Sequence, residues 1–163
     1  MKGEEMTIKS RIAIESPGVN VAIVKKDDDG WKFLLLRRAD TESYGGFWGF
    51  MTGSKQDSET VAKLVVRELA EETGLKPQSM WATEYLVQFY EPEYDKIWIL
   101  PVVVAVVTSG ARVTLSAENS EFLWLASEQA KRRVSWKNLV RAIGDIAEEL
   151  EIFPARNWVE IVA

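Results

Sequence analysis

The 163-residue sequence contains neither histidine nor cysteine. These absences exclude a Ser-His-Asp triad, a Cys-His pair, a histidine general base and the usual structural or catalytic zinc sites. Without cysteine there are no disulfide bonds, which is typical of a reducing compartment. Any chemistry must therefore come from carboxylates, Lys, Arg, Tyr or backbone groups, or from a hard metal ion bound through oxygen atoms.

Positive charge and long apolar runs are also scarce. The net charge is −5, whereas a protein that binds nucleic acid polymers is usually basic. Residues 1–10 are charged and lack an apolar core, so they do not resemble a signal peptide. The longest apolar run, 97–107, is too short to cross a bilayer and contains Pro101. We therefore expect a cytoplasmic protein with neither a nucleic acid nor a membrane partner, and its oligomeric state stays open.

The length and the 47% hydrophobic content suit a single domain over residues 1–163. Apolar and β-branched segments predict strands, separated by turn sequences such as DDDG at 27–30. The predicted strands are 19–25, 31–37, a short segment at 47–51, 81–90, 95–108 and 121–125, with a final strand or packed tail after 151. Because helices are predicted between and after these strands, we expect a mixed α/β fold with the sheet between helices.

Two amphipathic helices are predicted. The first covers 57–73, with Asp57 or Ser58 as its N-cap and Gly74 as its C-terminal stop. The second covers 136–150, where apolar residues recur at helical spacing.

Three glutamates on the first helix are the strongest candidate functional residues. Glu71 and Glu72 follow Glu68 at i+3 and i+4, so all three lie on one helix face. Glu68 and Glu72 also border the apolar stripe of that helix, where a carboxylate is costly unless it is paired or bound to a metal. Because like charges repel unless a cation lies among them, this pattern predicts a hard divalent ion such as Mg²⁺.

The segment 53–75, GSKQDSETVAKLVVRELAEETGL, resembles the signature of the Nudix (MutT-type) hydrolases. All nine specified positions match: Gly53, Glu59, Arg67, Glu68, Leu69, Glu71, Glu72, Gly74 and Leu75. The resemblance implies an α/β/α sandwich with a mixed β-sheet. It also implies Mg²⁺-dependent hydrolysis of a nucleoside diphosphate linked to another group, and Mn²⁺ can substitute for Mg²⁺.

Smaller motifs are most similar to the dihydroneopterin triphosphate pyrophosphatase branch, which is also described as dATP pyrophosphohydrolase. They are the turn at 52–54, the pair Arg37 and Arg38, and the late segment 135–138. The chain departs from many relatives ahead of the helix, where Met51 and Thr52 replace a Pro-Gly pair.

The resemblance implies that Arg67 organises the acids by pairing with Glu59. The expected metal ligands are Glu68, Glu71, Glu72, Thr52 and Glu118. Glu118 matches an acidic position in a late motif of the family. Since the sequence has no histidine, the general base must be an acid, and Glu68 and Glu118 both remain candidates.

The substrate-binding candidates precede the signature. Arg38 is the expected phosphate contact, because neighbouring Arg37 would point to the opposite face of a strand. Trp48 and Tyr44 could stack on a flat ring, although aromatic residues are as often part of a core.

The predicted function is hydrolysis of a pterin or nucleoside triphosphate to a monophosphate and pyrophosphate. One alternative is a Nudix hydrolase of another class, acting on a dinucleoside polyphosphate or on ADP-ribose. A second alternative is a catalytically inactive Nudix module that only binds a nucleotide. A protein-interaction domain that uses the aromatic surface is a weaker third possibility.

Overall fold

The computed structural model describes residues 11–153 and 158–163. Over these residues the chain forms nine strands and three helices. In chain order they are β1 (Ala13–Glu15), β2 (Gly18–Asp27), β3 (Gly30–Arg38), β4 (Trp48–Gly49), β5 (Met51–Ser54), α1 (Val61–Thr73), β6 (Ser79–Glu91), β7 (Lys96–Val106), β8 (Asn119–Leu125), α2 (Ser127–Arg133), α3 (Lys137–Leu150) and β9 (Val159–Ile161).

The strands form one mixed sheet. Its main path runs β4-β3-β2-β7-β6-β9, and β1, β5 and β8 pair with β7, β2 and β3 respectively. Strand β7 is parallel to β1 and β2, whereas the other pairs are antiparallel. The predicted hairpin is confirmed, because Asp27 pairs with Gly30 across a two-residue turn.

The central strands are buried on both faces, and their side chains alternate between two cores. Ala22, Val24, Phe33 and Leu35 pack on the side covered by α3 and by Ala130 of α2. Val21, Ile23, Leu34 and Leu36 pack on the other side, against Leu64, Val65 and Leu69 of α1. A sheet with helices on both faces confirms the predicted sandwich.

The start of α1 differs from the prediction. The helix begins at Val61, and the side chain of Thr60, rather than Asp57 or Ser58, accepts the capping hydrogen bond from the amide of Lys63. Ser58 has a φ of 62°, which no right-handed helix can contain. The C-terminal end is confirmed, since Gly74 takes a left-handed conformation and its N–H donates to the carbonyl of Ala70.

The remaining predicted strands and the late helix are confirmed within a few residues, and β9 provides a final strand. The sequence patterns missed β1 and the short α2. No helix in the described part of the chain is long and apolar enough to span a membrane. The interpretation of 1–10 as unlike a signal peptide concerns residues outside those described.

Candidate active site

A close approach between β5 and α1 sets the position of the signature acids. A Cβ atom at Gly53 would lie 2.7 Å from Cγ of Glu68 and 2.7 Å from Cδ2 of Leu64. On the other side, a Cβ at Gly18 would lie 1.8 Å from the carbonyl oxygen of Gly53. Glycine at both positions therefore allows β2, β5 and α1 to pack closely, with Glu68 directly against the β5 backbone.

Arg67 ties the signature loop to the helix. Its Nε and Nη2 donate to the two carboxylate oxygens of Glu59 at 2.8 and 3.0 Å, which confirms the predicted pairing. Nη2 also donates to the carbonyl of Ser54, and Nη1 donates to Oε1 of Glu68 at 2.8 Å. The hydrogen bonds from Arg67 are the main reason that the pKa of Glu59 falls to about 2. This bidentate pair joins the loop to the face of α1 that carries the signature acids.

Glu72 is the buried member of the acidic group, with only 4% of its surface exposed. Its Oε2 accepts a hydrogen bond of 2.8 Å from Nδ2 of Asn119. The pKa of Glu72 is raised to about 7, mainly by burial, and the negative charges of Glu118 and Glu68 contribute to the rise. The hydrogen bond from Asn119 and the positive charge of Arg38 act in the opposite direction. All four side chains are therefore close enough to influence the Glu72 carboxylate.

The three signature acids do not converge as they stand. The side chains of Glu68 and Glu71 are 14% and 60% exposed, and both accept hydrogen bonds from Nη1 of Arg67. Within the described ranges, no group of three acidic side chains is arranged to hold a metal ion. The chemistry of these residues nevertheless fits a hard cation. Glu72 is a buried carboxylate that forms no ion pair within the described ranges, and the carboxylates of Glu118 and Glu68 repel it.

A cavity of about 390 Å³ opens beside these acids. Glu72, Asn119, Arg38 and Thr52 border its polar part. Aromatic residues border much of the rest: Tyr44, Phe47, Trp48, Phe50, Phe89, Trp98 and Trp136. The cavity therefore connects a charged region, suited to phosphate groups, with a region suited to a flat ring.

Trp136 lies at the centre of the aromatic region. Its ring contacts Tyr44 edge-on at 5.1 Å and Phe47 at 5.3 Å, and it stacks with Phe89 at 6.3 Å between centroids. The hydroxyl of Tyr44 donates to Glu91, whose other oxygen accepts from Nε1 of Trp98 at 2.8 Å. The hydrogen bond to Glu91 raises the pKa of Tyr44 to about 12.

The backbone of Tyr44 supports a functional interpretation of its loop. Tyr44 has a φ of 59°, a left-handed conformation that is unfavourable for a bulky residue. Such conformations persist where surrounding contacts enforce them, and they cluster at functional sites. Here the hydrogen bond to Glu91 and the contact with Trp136 hold the side chain against the aromatic region.

The other predicted residues differ in where they lie relative to the cavity. Arg38 borders the cavity and its Nε donates to the carbonyl of Ser43 at 3.0 Å, whereas Arg37 bonds to Ser120 and Asp40. Glu118 is exposed in the loop just before β8, beside the buried Asn119. Trp48 is only 6% exposed, packs in the core beneath α3, and has the guanidinium of Arg133 4.4 Å from its ring centroid.

Several cavity residues were not among the predicted site residues, although the segment 135–138, which contains Trp136 and Asn138, was noted as similar to one branch of the family. Phe89 and Glu91 of β6, Trp98 of β7, and Trp136 and Asn138 at the start of α3 all border the cavity. The alternation of Val87, Phe89 and Glu91 along β6 was an available signal, because residues two apart on a strand share one face.

Comparison with known proteins agrees with this geometry. A model of the NUDIX domain matches residues 16–142. The chain is 32% identical over 132 residues to an octanoyltransferase of Myxococcus xanthus, a match that covers 74% of this chain and 34% of that protein. The chain thus spans about a third of the length of this curated relative.

Two solved structures show the same fold. The Ap4A hydrolase of C. elegans superposes with a TM-score of 0.73 at 18% identity, over 85% of this chain and 100% of that one. The dihydroneopterin triphosphate pyrophosphohydrolase of E. coli superposes with a TM-score of 0.62 at 18% identity, over 82% of this chain and 99% of that one. With the family model covering most of the sequence and every signature acid present, the chain belongs to the NUDIX domain family.

Proposed function

We propose that this protein is a Mg²⁺-dependent hydrolase of a pterin or nucleoside triphosphate. It would break the bridge between the first and second phosphate, releasing pyrophosphate and leaving the monophosphate. The observation that carries the proposal is a cavity bordered both by the buried signature acid Glu72, with Arg38 and Asn119, and by an aromatic region.

The phosphate groups would lie beside Glu72 and Arg38. Arg38 borders the cavity and carries the positive charge that acts on Glu72, so it is well placed to contact a phosphate oxygen. Glu68, Glu71, Glu72, Thr52 and Glu118 would hold the metal ion. When bound, the ion would neutralise phosphate charge and lower the pKa of a water molecule. Glu68 and Glu71 would then give up their hydrogen bonds from Nη1 of Arg67. Arg67 itself would stay in place through the hydrogen bond from its Nε to Glu59.

A carboxylate must accept the proton of the attacking water. Glu68 is largely shielded and already bonded to Arg67. Glu118 is exposed and forms no ion pair in the described ranges, and its charge still acts on the Glu72 carboxylate. These features favour Glu118 as the residue that takes the proton or adds a metal ligand, because a loop can bring it toward a bound substrate. Glu68 is the alternative.

The aromatic region supports one ring rather than two. In the described parts of the chain, one group of mutually contacting rings, centred on Trp136, borders the cavity. A substrate with one ring and one phosphate chain matches this arrangement. A dinucleoside polyphosphate would need a second surface for its second ring.

The test is a substrate panel with product identification. The protein would be incubated with Mg²⁺ and, separately, dihydroneopterin triphosphate, each dNTP, ADP-ribose and Ap4A, and the products separated by ion-exchange chromatography. We expect a monophosphate and pyrophosphate from a triphosphate. Orthophosphate as the first product, or faster cleavage of Ap4A or ADP-ribose into two nucleotides, would contradict the proposal. Absence of metal-dependent turnover on the whole panel would favour a binding module.

A further inference from the structure

Asn20, in the middle of the sheet, carries a buried amide that the fold does not use. Among residues 11–153 and 158–163, the buried polar or charged side chains are Asn20, Glu72, Thr73 and Asn119. The last three are engaged, since Asn119 donates to Glu72 and Thr73 donates to the carbonyl of Leu69. The side chain of Asn20 is only 4% exposed and forms no hydrogen bond with any described residue.

The alternation of β2 directs this amide into the cavity. Val19 and Val21 pack against the core that contains α1, so Asn20 points to the opposite side of the sheet, as Ala22 does. On that side Ala22 is part of the core built with α3, whereas Asn20 borders the cavity. Its amide atoms are not completely enclosed by protein, so they are open to whatever the cavity contains.

A structural role does not account for an asparagine here. Asparagine is disfavoured in strands, and a buried amide without a partner is costly. Valine or leucine would fill the same place in a sheet whose neighbouring positions are apolar. The amide is therefore best explained by a ligand that enters the cavity and pairs with it.

Asn20 lies between the two parts of the cavity. Its cross-strand neighbour on β5 is Thr52, which borders the polar part. Its neighbour on β7 is Val102, and from there the cavity wall continues along β7 to Leu100 and Trp98 beside the aromatic residues. A substrate that extends from the acids to the rings would pass this amide with the part that joins its phosphate chain to its ring.

We propose that Asn20 determines substrate specificity by binding a hydroxyl group on this joining part of the substrate. The inference rests on the proposed function, because it treats the cavity as the substrate site. The joining part is the sugar of a nucleotide or the hydroxylated side chain of a pterin triphosphate. A hydroxyl both donates and accepts, so it can pair with Oδ1 or with Nδ2 whichever way the amide is turned.

A substrate without the hydroxyl would bind less well. On entering the cavity it would displace water from the Asn20 amide and offer no partner in exchange, while Val102 beside the amide is apolar. A site that hydrogen-bonds a substrate hydroxyl discriminates against the analogue that lacks it for this reason. The dependence should concern the sugar and not the base.

The first measurement uses the wild-type protein and one base, so that the ring and the phosphates stay constant. The series is GTP, dGTP, 3′-deoxy-GTP and the dideoxy nucleotide ddGTP, each with Mg²⁺. We expect kcat/KM for ddGTP to be about 10-fold or more below that for GTP. The two singly deoxygenated nucleotides identify which hydroxyl is bound.

The second measurement uses a pair of amide-to-leucine variants. Asn20→Leu has a similar size and no hydrogen-bonding group, and should bring the GTP/ddGTP ratio of kcat/KM close to one. Its melting temperature should not fall, because the amide forms no hydrogen bond in the described structure. Gln88→Leu is the control, since Gln88 is an exposed residue of β6 that does not border the cavity. It should keep the wild-type ratio.

A role of Asn20 in packing alone would leave a different pattern. It would lower the melting temperature and reduce kcat/KM for all four nucleotides by the same factor, which would contradict the proposal. If Asn20→Leu does not fold, Asn20→Val provides the same comparison with a side chain that suits a strand.

Binding without turnover separates this inference from the proposed function. GMP and ddGMP would be titrated without metal while the tryptophan fluorescence is followed, since three tryptophans border the cavity. Equal use of GTP and ddGTP by the wild type, or an unchanged ratio in a folded Asn20 variant, overturns the role of Asn20 while triphosphate hydrolysis stands. If no triphosphate is hydrolysed but GMP binds more tightly than ddGMP in an Asn20-dependent manner, the hydroxyl inference stands and the proposed function fails. Neither turnover nor a difference in binding would overturn both.

Discussion

The two parts of the cavity are built in different ways. The charged part takes Glu72 from one continuous segment, 53–75, in which α1 packs on β5 and Arg67 joins the loop to the helix, and Arg38, Thr52 and Asn119 complete it. The aromatic part brings together residues far apart in the chain, from the loop before β4, from β6 and β7, and from the start of α3. The spacing of residues within one segment therefore determines where the acids lie, whereas tertiary packing determines which ring the cavity can hold.

This difference has a consequence for specificity. The charged part is held by hydrogen bonds to charged groups and by glycine contacts that tolerate no added atom. The aromatic part is held by ring contacts and by the hydrogen bonds of Glu91, which can change one residue at a time. Substitutions in the charged part should abolish turnover, and those in the aromatic part should change substrate preference.

The largest effect is expected at the buried acid of the charged part. Glu72→Gln keeps the size of the side chain and removes the charge. It should lower kcat by on the order of 10² or more, as loss of a group that stabilises developing charge does. Because Gln can still accept the hydrogen bond from Asn119, the melting temperature should not fall. Steady-state kinetics with dGTP and a thermal melt check both expectations.

Glu148→Gln is the matched control, since Glu148 is an exposed residue of α3 outside the cavity. It should leave kcat and the melting temperature unchanged. Near-normal activity of Glu72→Gln would refute the assignment of α1 as the catalytic helix.

A smaller effect is expected at Glu118, where the charged part extends beyond the signature. Glu118→Gln should lower kcat about 100-fold, the lower end of the range for a lost general base, and raise KM much less. Metal affinity of the free protein, followed by titration with Mn²⁺, should change little. If the Gln variant is as active as the wild type, the base is Glu68.

The sequence predicted the helix of the charged part and its Arg67–Glu59 pair because their determinants are periodic and close together. The carboxylates at 68, 71 and 72 share a helix face wherever the helix packs, and Gly74 ends that helix in any context. The N-terminal boundary failed because Glu59 pairs with Arg67 across the loop, which competes with helix formation at 57–60. The prediction of Asp57 or Ser58 as the N-cap was wrong for the same reason, since the helix begins later and Thr60 caps it.

The aromatic part could not be predicted in the same way. Trp48 and Trp136 both border the cavity, yet one is buried in the core beneath α3 and the other lies at the centre of the cavity rings. Their difference arises because β6 and β7 bring Phe89 and Trp98 to the same end of the sheet as the loop that carries Tyr44. That juxtaposition depends on the strand order, which no single segment contains.

The bond between Arg67 and Glu59 gives a prediction about acid stability. The pKa of Glu59 is about 2 in the folded protein and has a usual value of 4.5, so the folded state binds the proton less readily. The charged carboxylate therefore contributes stability that is complete above pH 4.5 and is lost as the pH falls toward 2. In Glu59→Gln, unfolding should depend less steeply on pH across this window.

Urea unfolding of the two proteins at several pH values between 7 and the acid limit measures this difference. The wild type should be more stable at pH 7, and its advantage should shrink below pH 4.5. If the difference in stability between the two proteins stays constant from pH 4.5 toward 2, Arg67 does not lower the pKa of Glu59.

The smallest effect is expected where the aromatic part meets its loop. Tyr44→Phe keeps the ring against Trp136 and removes the hydroxyl that donates to Glu91. The loop then loses one hydrogen bond to a charged group, while the left-handed conformation of residue 44 remains unfavourable. We expect KM to rise a few-fold with kcat almost unchanged, because the loop would order against the ring less often.

Tyr94→Phe provides the control, since Tyr94 is an exposed tyrosine that does not border the cavity. It should leave KM unchanged. The Tyr44 effect should also be similar for dGTP and dATP, because the hydroxyl donates to Glu91 and orders the loop. A marked change in the dGTP/dATP ratio would instead show that Glu91, once released from Tyr44, contacts the ring of the substrate itself.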